Sequence, residues 1–161
     1  MQSIHSTAKV KATPVGTPVP DFSVAGERVW TRSPFQLSAQ KGVPAVLHFW
    51  ATWCGPCLVE LPEIIMLAKE NPDFQVITVA EDESWAHLEK FFARYPELSA
   101  LQKHTVLLLD PRSEIANVFH SNKFPETFLI NSQGIIDNKF VGAQPWTSAE
   151  MAPYLGRLRA P

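Results

Sequence analysis

A nearly unbroken apolar run, Pro44-Ala45-Val46-Leu47-His48-Phe49-Trp50, leads through Ala51-Thr52-Trp53 into Cys54-Gly55-Pro56-Cys57. Few architectures accommodate that succession. So little polar interruption marks a strand covered on both faces, the setting of a parallel sheet. Beyond it, Leu58, Leu61, Ile65 and Ala68 recur at the spacing of one helical stripe. The chain's two cysteines therefore stand where a central strand gives way to the first turn of a helix.

That position favours redox chemistry. Two thiols separated by two residues can close a short disulfide, and the positive end of the helix favours thiolate at the leading sulfur, Cys54. Zinc is a weaker reading, because a structural site usually takes four ligands and the chain has no second cysteine pair and no closely spaced histidine pair. A purely structural bridge is weaker too, since so small a loop restrains the unfolded chain little. Two further residues are open to two readings. His48 is the one polar residue in the strand, either a hydrogen-bonded core side chain or a proton-transfer group. Glu60, three residues after Cys57, either faces solvent or leans back toward that sulfur, as helical side chains do.

The rest of the chain supplies a sheet. Phe22–Val24 and Glu27–Thr31 read as an N-terminal hairpin around a turn at Ala25-Gly26-Glu27. Phe74–Ala80 and Val106–Leu109 read as further buried strands, with a helix over Ser84–Tyr95 between them. Ser113–His120 predicts a short helix turning Ile115, Val118 and Phe119 inward. A hairpin follows, its strands entered through Pro125 and spanning Ile135–Val141, and a last helix is capped by Thr147 or Ser148. Pro62 falls inside the helix after the cysteines and predicts a kink. The Thr-, Val- and Pro-rich start is expected to be a flexible linker or tether stub over 1–19, leaving one domain over 20–161.

Composition narrows the function. A net charge of -2 gives no basic field for nucleic acid or an anionic membrane. No apolar run is long enough to cross a bilayer, and the first residues lack the apolar core of a secretory leader. Cysteines confined to one motif suit an oxidising compartment. The expectation is an extracytoplasmic, monomeric protein, periplasmic or membrane-tethered, whose leader or anchor is absent from this sequence.

From about residue 20 onward this arrangement resembles the thioredoxin superfamily. The segments Phe49–Cys57, Glu60-Leu61-Pro62 and Pro125-Glu126-Thr127-Phe128-Leu129-Ile130 are similar to its TlpA/ResA-like branch of thiol-disulfide reductases, which includes those serving cytochrome c and oxidase maturation. The resemblance implies an α/β thioredoxin-like fold: a central mixed β-sheet flanked by helices, with an N-terminal β-hairpin and an inserted helix and strand. It implies a cis peptide bond before Pro125, with Pro125 against the cysteines, Trp53, Gly55 and Pro56 around them, and the backbone of Phe124 offered to an extended substrate segment. Thioredoxin carries a buried Asp at the position of His48, and this branch more often an Asn. The absent acceptor leads us to expect Glu60, and with it Glu126, to deprotonate Cys57.

In the implied cycle the Cys54 thiolate attacks a protein disulfide, Cys57 resolves the mixed disulfide, and a membrane thiol-disulfide donor restores the dithiol. No cofactor beyond the Cys54–Cys57 disulfide is expected. Gly55-Pro56 matches the reducing thioredoxin, whose potential lies near -270 mV against about -120 mV for the oxidant DsbA. An oxidant or isomerase uses the same residues and differs only in potential. A Cu(I) chaperone, its thiolates joined by His48 or His120, is the alternative of another class.

Overall fold

The computed structural model describes residues 13–160. Five strands form the main sheet: β3 (Ala45–Trp50), β4 (Gln75–Ala80), β5 (Val106–Leu109), β6 (Glu126–Ile130) and β7 (Ile136–Val141), in the order β5-β4-β3-β6-β7. β3, β4 and β5 run parallel, β6 is antiparallel to β3, and β7 is antiparallel to β6. The sheet is mixed, as expected. β3 lies at its centre with all six residues buried, which is why its sequence is almost wholly apolar.

Strand alternation divides the core in two. Val46 and Trp50 face α1 (Gly55–Glu70), whose buried side Leu61, Ile64 and Leu67 supply. Leu47, Phe49 and Phe128 face the other way, onto Phe119 and the short helix α4 (Glu114–Val118). The Phe49, Phe119 and Phe128 rings meet there with centroids 5.2–6.1 Å apart, contacts worth about 1 kcal/mol each beyond burial. Three more helices complete the fold: α2 (Trp85–Arg94), α3 (Ala100–His104) and α5 (Ala152–Arg159). The last starts later than its expected cap. Val118 is 40% exposed, contrary to the inward position expected of it, because the buried arc of α4 and the residue after it is Ile115, Ala116 and Phe119, which leaves Val118 to one side.

The N-terminal hairpin is present with a different second strand. β1 (Ser23–Val24) pairs with β2 (Phe35–Gln36), whereas residues 27–31 do not return beside β1. Gly26–Arg28 form a 3-10 turn, and Gly26 lies so close to the Arg32 carbonyl that a Cβ there has no room. Val29 then bridges Leu108, and Trp30 N–H donates to Leu107, guarding the β5 edge. At the opposite edge, Pro18 bridges Ile135, and Gly16, Thr17 and Val19 exchange backbone hydrogen bonds with Gly134 and Ile136. Of the stretch 1–19 assigned to a linker, residues 1–12 lie outside the described residues, and 13–19 are fastened to the domain.

Candidate active site

Cys54 is the N-cap of α1, and Pro56 sits in the first turn, where its missing N–H costs no helical bond. The Cys57 N–H points at the Cys54 sulfur from 3.3 Å, so a free helix donor already faces the atom that would carry charge after reduction. Cys54 and Cys57 are joined as a disulfide with Cα atoms 5.3 Å apart. The two sulfurs are unequal: Cys54 is 6% exposed and Cys57 is sealed.

The rim is fixed from two directions. The Asp82 carboxylate accepts from both the N–H and the hydroxyl of Thr52, tying the loop before the cysteines to the end of β4. The Trp53 indole N–H reaches the Glu81 carbonyl at 3.4 Å, and the ring remains 68% exposed. Across the disulfide, Phe124-Pro125 is a cis peptide, and the Phe124 carbonyl oxygen lies 3.6 Å from the Cys54 sulfur. Trp53 and Phe124 meet edge to face at 6.1 Å. Among the described residues nothing accepts from the Phe124 N–H.

About one helical turn along α1 from Cys57 lies a polar cluster closed to water. Glu60 is 1% exposed, which removes the solvated alternative. Its Oε2 accepts from the Gln144 N–H at 2.9 Å and the Trp146 indole N–H at 2.8 Å. Burial pushes its carboxyl up to about 7, the two donors only partly offsetting that rise. Its Oε1 faces Nε2 of His48 at 3.5 Å, longer than a formed hydrogen bond. Nδ1 of His48 lies 2.8 Å from the Thr127 hydroxyl, a contact that follows from the β3–β6 register pairing His48 with Thr127. Burial drives the imidazole far below the ordinary histidine range. At neutral pH the contact therefore joins a neutral ring to a carboxyl near its midpoint, and is no ion pair.

Glu126 does not belong to this cluster. It is paired with Phe49, one residue out of phase with His48, and so faces the other side of the sheet. There its Oε2 accepts from the Ser121 hydroxyl at 2.6 Å, and Lys139 Nζ stands 2.8 Å from Oε1 as an ion contact without hydrogen-bond alignment. The expectation that it shares the deprotonation of Cys57 is corrected: its carboxylate ties the start of β6 to β7 and to the loop that carries Phe124. Glu81 is a third buried glutamate, pushed up to about 10 first by burial and then by the Asp110 carboxylate beside it.

Of the residues named from the sequence, the structure places Cys54, Cys57, Trp53 and the cis Phe124-Pro125 bond around the disulfide, and His48 beside Glu60. Sequence reasoning missed Trp146, Gln144 and Thr127. A tryptophan in the turn-rich Gly142–Ser148 stretch was the available signal for the first, because a buried indole needs an acceptor. For the Cu(I) reading, no group of three His, Cys, Asp or Glu side chains among the described residues stands close enough to hold a metal ion. His120 sits beyond α4 in the left-handed region, at φ 52°.

Known proteins are similar to this chain in sequence and fold. Residues 15–139 match the AhpC/TSA family. The thiol:disulfide interchange protein DsbE of Pseudomonas aeruginosa is 33% identical over 148 residues, covering 89% of this chain and 77% of that protein. The thiol-disulfide oxidoreductase ResA of Oceanobacillus iheyensis is 30% identical over 133 residues, covering 80% of this chain and 66% of that one. A crystal structure described as a DsbE-type thiol:disulfide interchange protein from Chlorobium tepidum superposes with a TM-score of 0.76 at 25% identity, over 91% of this chain and 99% of that one. With a disulfide-bonded Cys-x-x-Cys at the head of a helix and a cis-proline facing it, the chain belongs to the AhpC/TSA family and is a thioredoxin-like thiol-disulfide oxidoreductase of the DsbE and ResA type.

Proposed function

We propose that the protein reduces disulfides of exported proteins through a cycle of the Cys54–Cys57 dithiol, in the manner of reductases serving cytochrome c or oxidase maturation. The observation that carries this reading is the inequality of the sulfurs. Cys54, at the helix N-terminus with a donor aimed at it, is the attacking thiolate, and sealed Cys57 is the resolving thiol. Cys54 attacks one sulfur of the partner disulfide and expels the other as thiolate. Cys57 then loses its proton to Glu60, attacks Cys54 and releases the second partner sulfur, leaving the partner reduced by two electrons and the enzyme oxidised. A carboxyl that titrates near neutrality suits that task, being ionised often enough to accept and protonated often enough to return the proton.

The substrate segment lies extended along Phe124, bonded to its backbone, with Trp53 covering the scissile sulfurs from the other side. Main-chain pairing of this kind selects weakly among side chains. A membrane thiol-disulfide transporter returns electrons, no cofactor beyond the disulfide takes part, and the protein acts as an extracytoplasmic monomer, its cysteine economy suiting that compartment. Two measurements test the reading. The reduction potential against glutathione is expected near thioredoxin's, about -270 mV, and a value near -120 mV makes the protein an oxidant. Cys54→Ser is expected to abolish insulin reduction, while Cys57→Ser accumulates a mixed disulfide through Cys54; trapping through Cys57 in the Cys54 variant overturns the assignment.

A further inference from the structure

His48 is left without a task by the reading above, yet its surroundings are unusually constrained. Both ring nitrogens are buried, and each faces one polar group: Nδ1 the Thr127 hydroxyl at 2.8 Å, Nε2 the Glu60 Oε1 at 3.5 Å. Neither Nε2 nor Oε1 has another hydrogen-bond partner among the described residues. Two buried polar atoms that face only each other call for an explanation, and a shift of about half an ångström closes the bond between them.

The donors on the other carboxylate oxygen decide what that bond must be. Oε2 accepts from a backbone N–H and an indole N–H, and neither donor can turn round. A proton added to Glu60 therefore goes to Oε1, where it must point at an unprotonated Nε2. When Glu60 is ionised, Oε1 needs a donor instead, and only Nε2–H is there. At the far side of the ring, the Thr127 hydroxyl is the one member that can reverse, donating to a bare Nδ1 or accepting from Nδ1–H. The imidazole stays neutral in both arrangements because its burial disfavours the charged ring.

We propose that His48 is a positioning residue that holds Oε1 of Glu60 and changes tautomer with it: Nε2–H while Glu60 is ionised, Nδ1–H once Glu60 has taken a proton. The net change is one proton gained by the pair, from Cys57 in the cycle or from solvent in a titration. In the protonated arrangement it appears as Oε1–H, with the ring hydrogen on Nδ1 in place of Nε2. Among the described residues no charged group faces the Glu60 carboxylate: β3 presents the neutral His48 ring, β6 presents Thr127, the segment after β7 presents Gln144 and Trp146, and on α1 the neighbouring Glu63 is turned to Thr147. The proposal deepens the role given to Glu60 but is read in the resting disulfide form, where Cys57 has no proton to give. Failure of Glu60 as a base therefore leaves it standing.

The test is nitrogen-15 NMR of histidine-labelled oxidised protein between pH 5 and 9, with the Glu60 carboxyl stretch followed by infrared difference spectroscopy and assigned by its loss in Glu60→Gln. The expected result is that the His48 tautomer changes with the same midpoint as the carboxyl, near 7, and is independent of pH in Glu60→Gln. A tautomer that stays fixed while Glu60 titrates overturns the proposal. Two variants add a second readout. His48→Gln places an amide where Nε2 was and is expected to keep the Glu60 midpoint, whereas His48→Asn keeps only the Thr127 side and is expected to raise it by about one unit or more. Equal midpoints in the two variants contradict the assignment.

Discussion

Glu60 and Glu126 are both buried glutamates within reach of the cysteine region by sequence, and they sit on opposite faces of one sheet. Glu126 meets a lysine ammonium and a hydroxyl. Glu60 meets two fixed neutral donors and a neutral ring, with no cation to hold its charge. The difference teaches that burial alone does not set a carboxylate's character: one that meets a cation braces the fold, and one whose only counterweight is neutral hydrogen bonding is pushed up to about 7.

The sharpest way to break the comparison is to remove the cation. Lys139→Met leaves the Glu126 carboxylate buried with one hydroxyl, and urea unfolding is expected to show a loss of roughly 3 kcal/mol with the pH profile of reduction unchanged. A displaced profile would bring Glu126 back into the chemistry. Glu60→Gln is expected to act the other way, lowering the rate of mixed-disulfide resolution by about 100-fold or more while the protein stays folded.

Stability against pH gives Glu60 a second signature. The Glu60 carboxyl is raised in the fold, so its contribution is complete below the unfolded value near 4.5 and is lost as pH climbs through about 7. Wild type is therefore expected to lose up to roughly 3 kcal/mol relative to Glu60→Gln between pH 4 and 9. Glu81 carries the same sign over a wider window, ending at about 10, so Glu81→Gln is expected to raise Tm at pH 8 more than at pH 5. The smallest effect is that of Ser121→Ala, about 1 kcal/mol in urea, because Lys139 still balances Glu126.

How far this contrast could be read from residues alone depends on which contacts are local. The apolar run of β3, the helical stripe of α1 and the Pro125-led hairpin are local patterns, and with the resemblance they were enough for the sheet, the cysteine pair and the cis bond. Strand alternation from Pro125 also held the answer for Glu126, since adjacent residues Glu126 and Thr127 must face opposite sides and only one of them can share a face with His48. The burial of Glu60 was not legible, because the indole that satisfies it comes from 86 residues away. Nor was the second strand of the first hairpin, since Phe35–Gln36 is too short to show a period, while the apolar 29–30 pair that imitates one is spent on the β5 edge.

Alkylation of the reduced protein by iodoacetamide from pH 5 to 10, with each cysteine resolved by mass spectrometry, tests the unequal pair and its proton acceptor together. The account predicts that Cys54 is modified rapidly well below pH 8, that Cys57 lags far behind, and that Glu60→Gln alters the pH dependence of Cys57 while leaving Cys54 near its wild-type curve. Equal rates at the two sulfurs, or a Cys57 profile indifferent to Glu60, would contradict it.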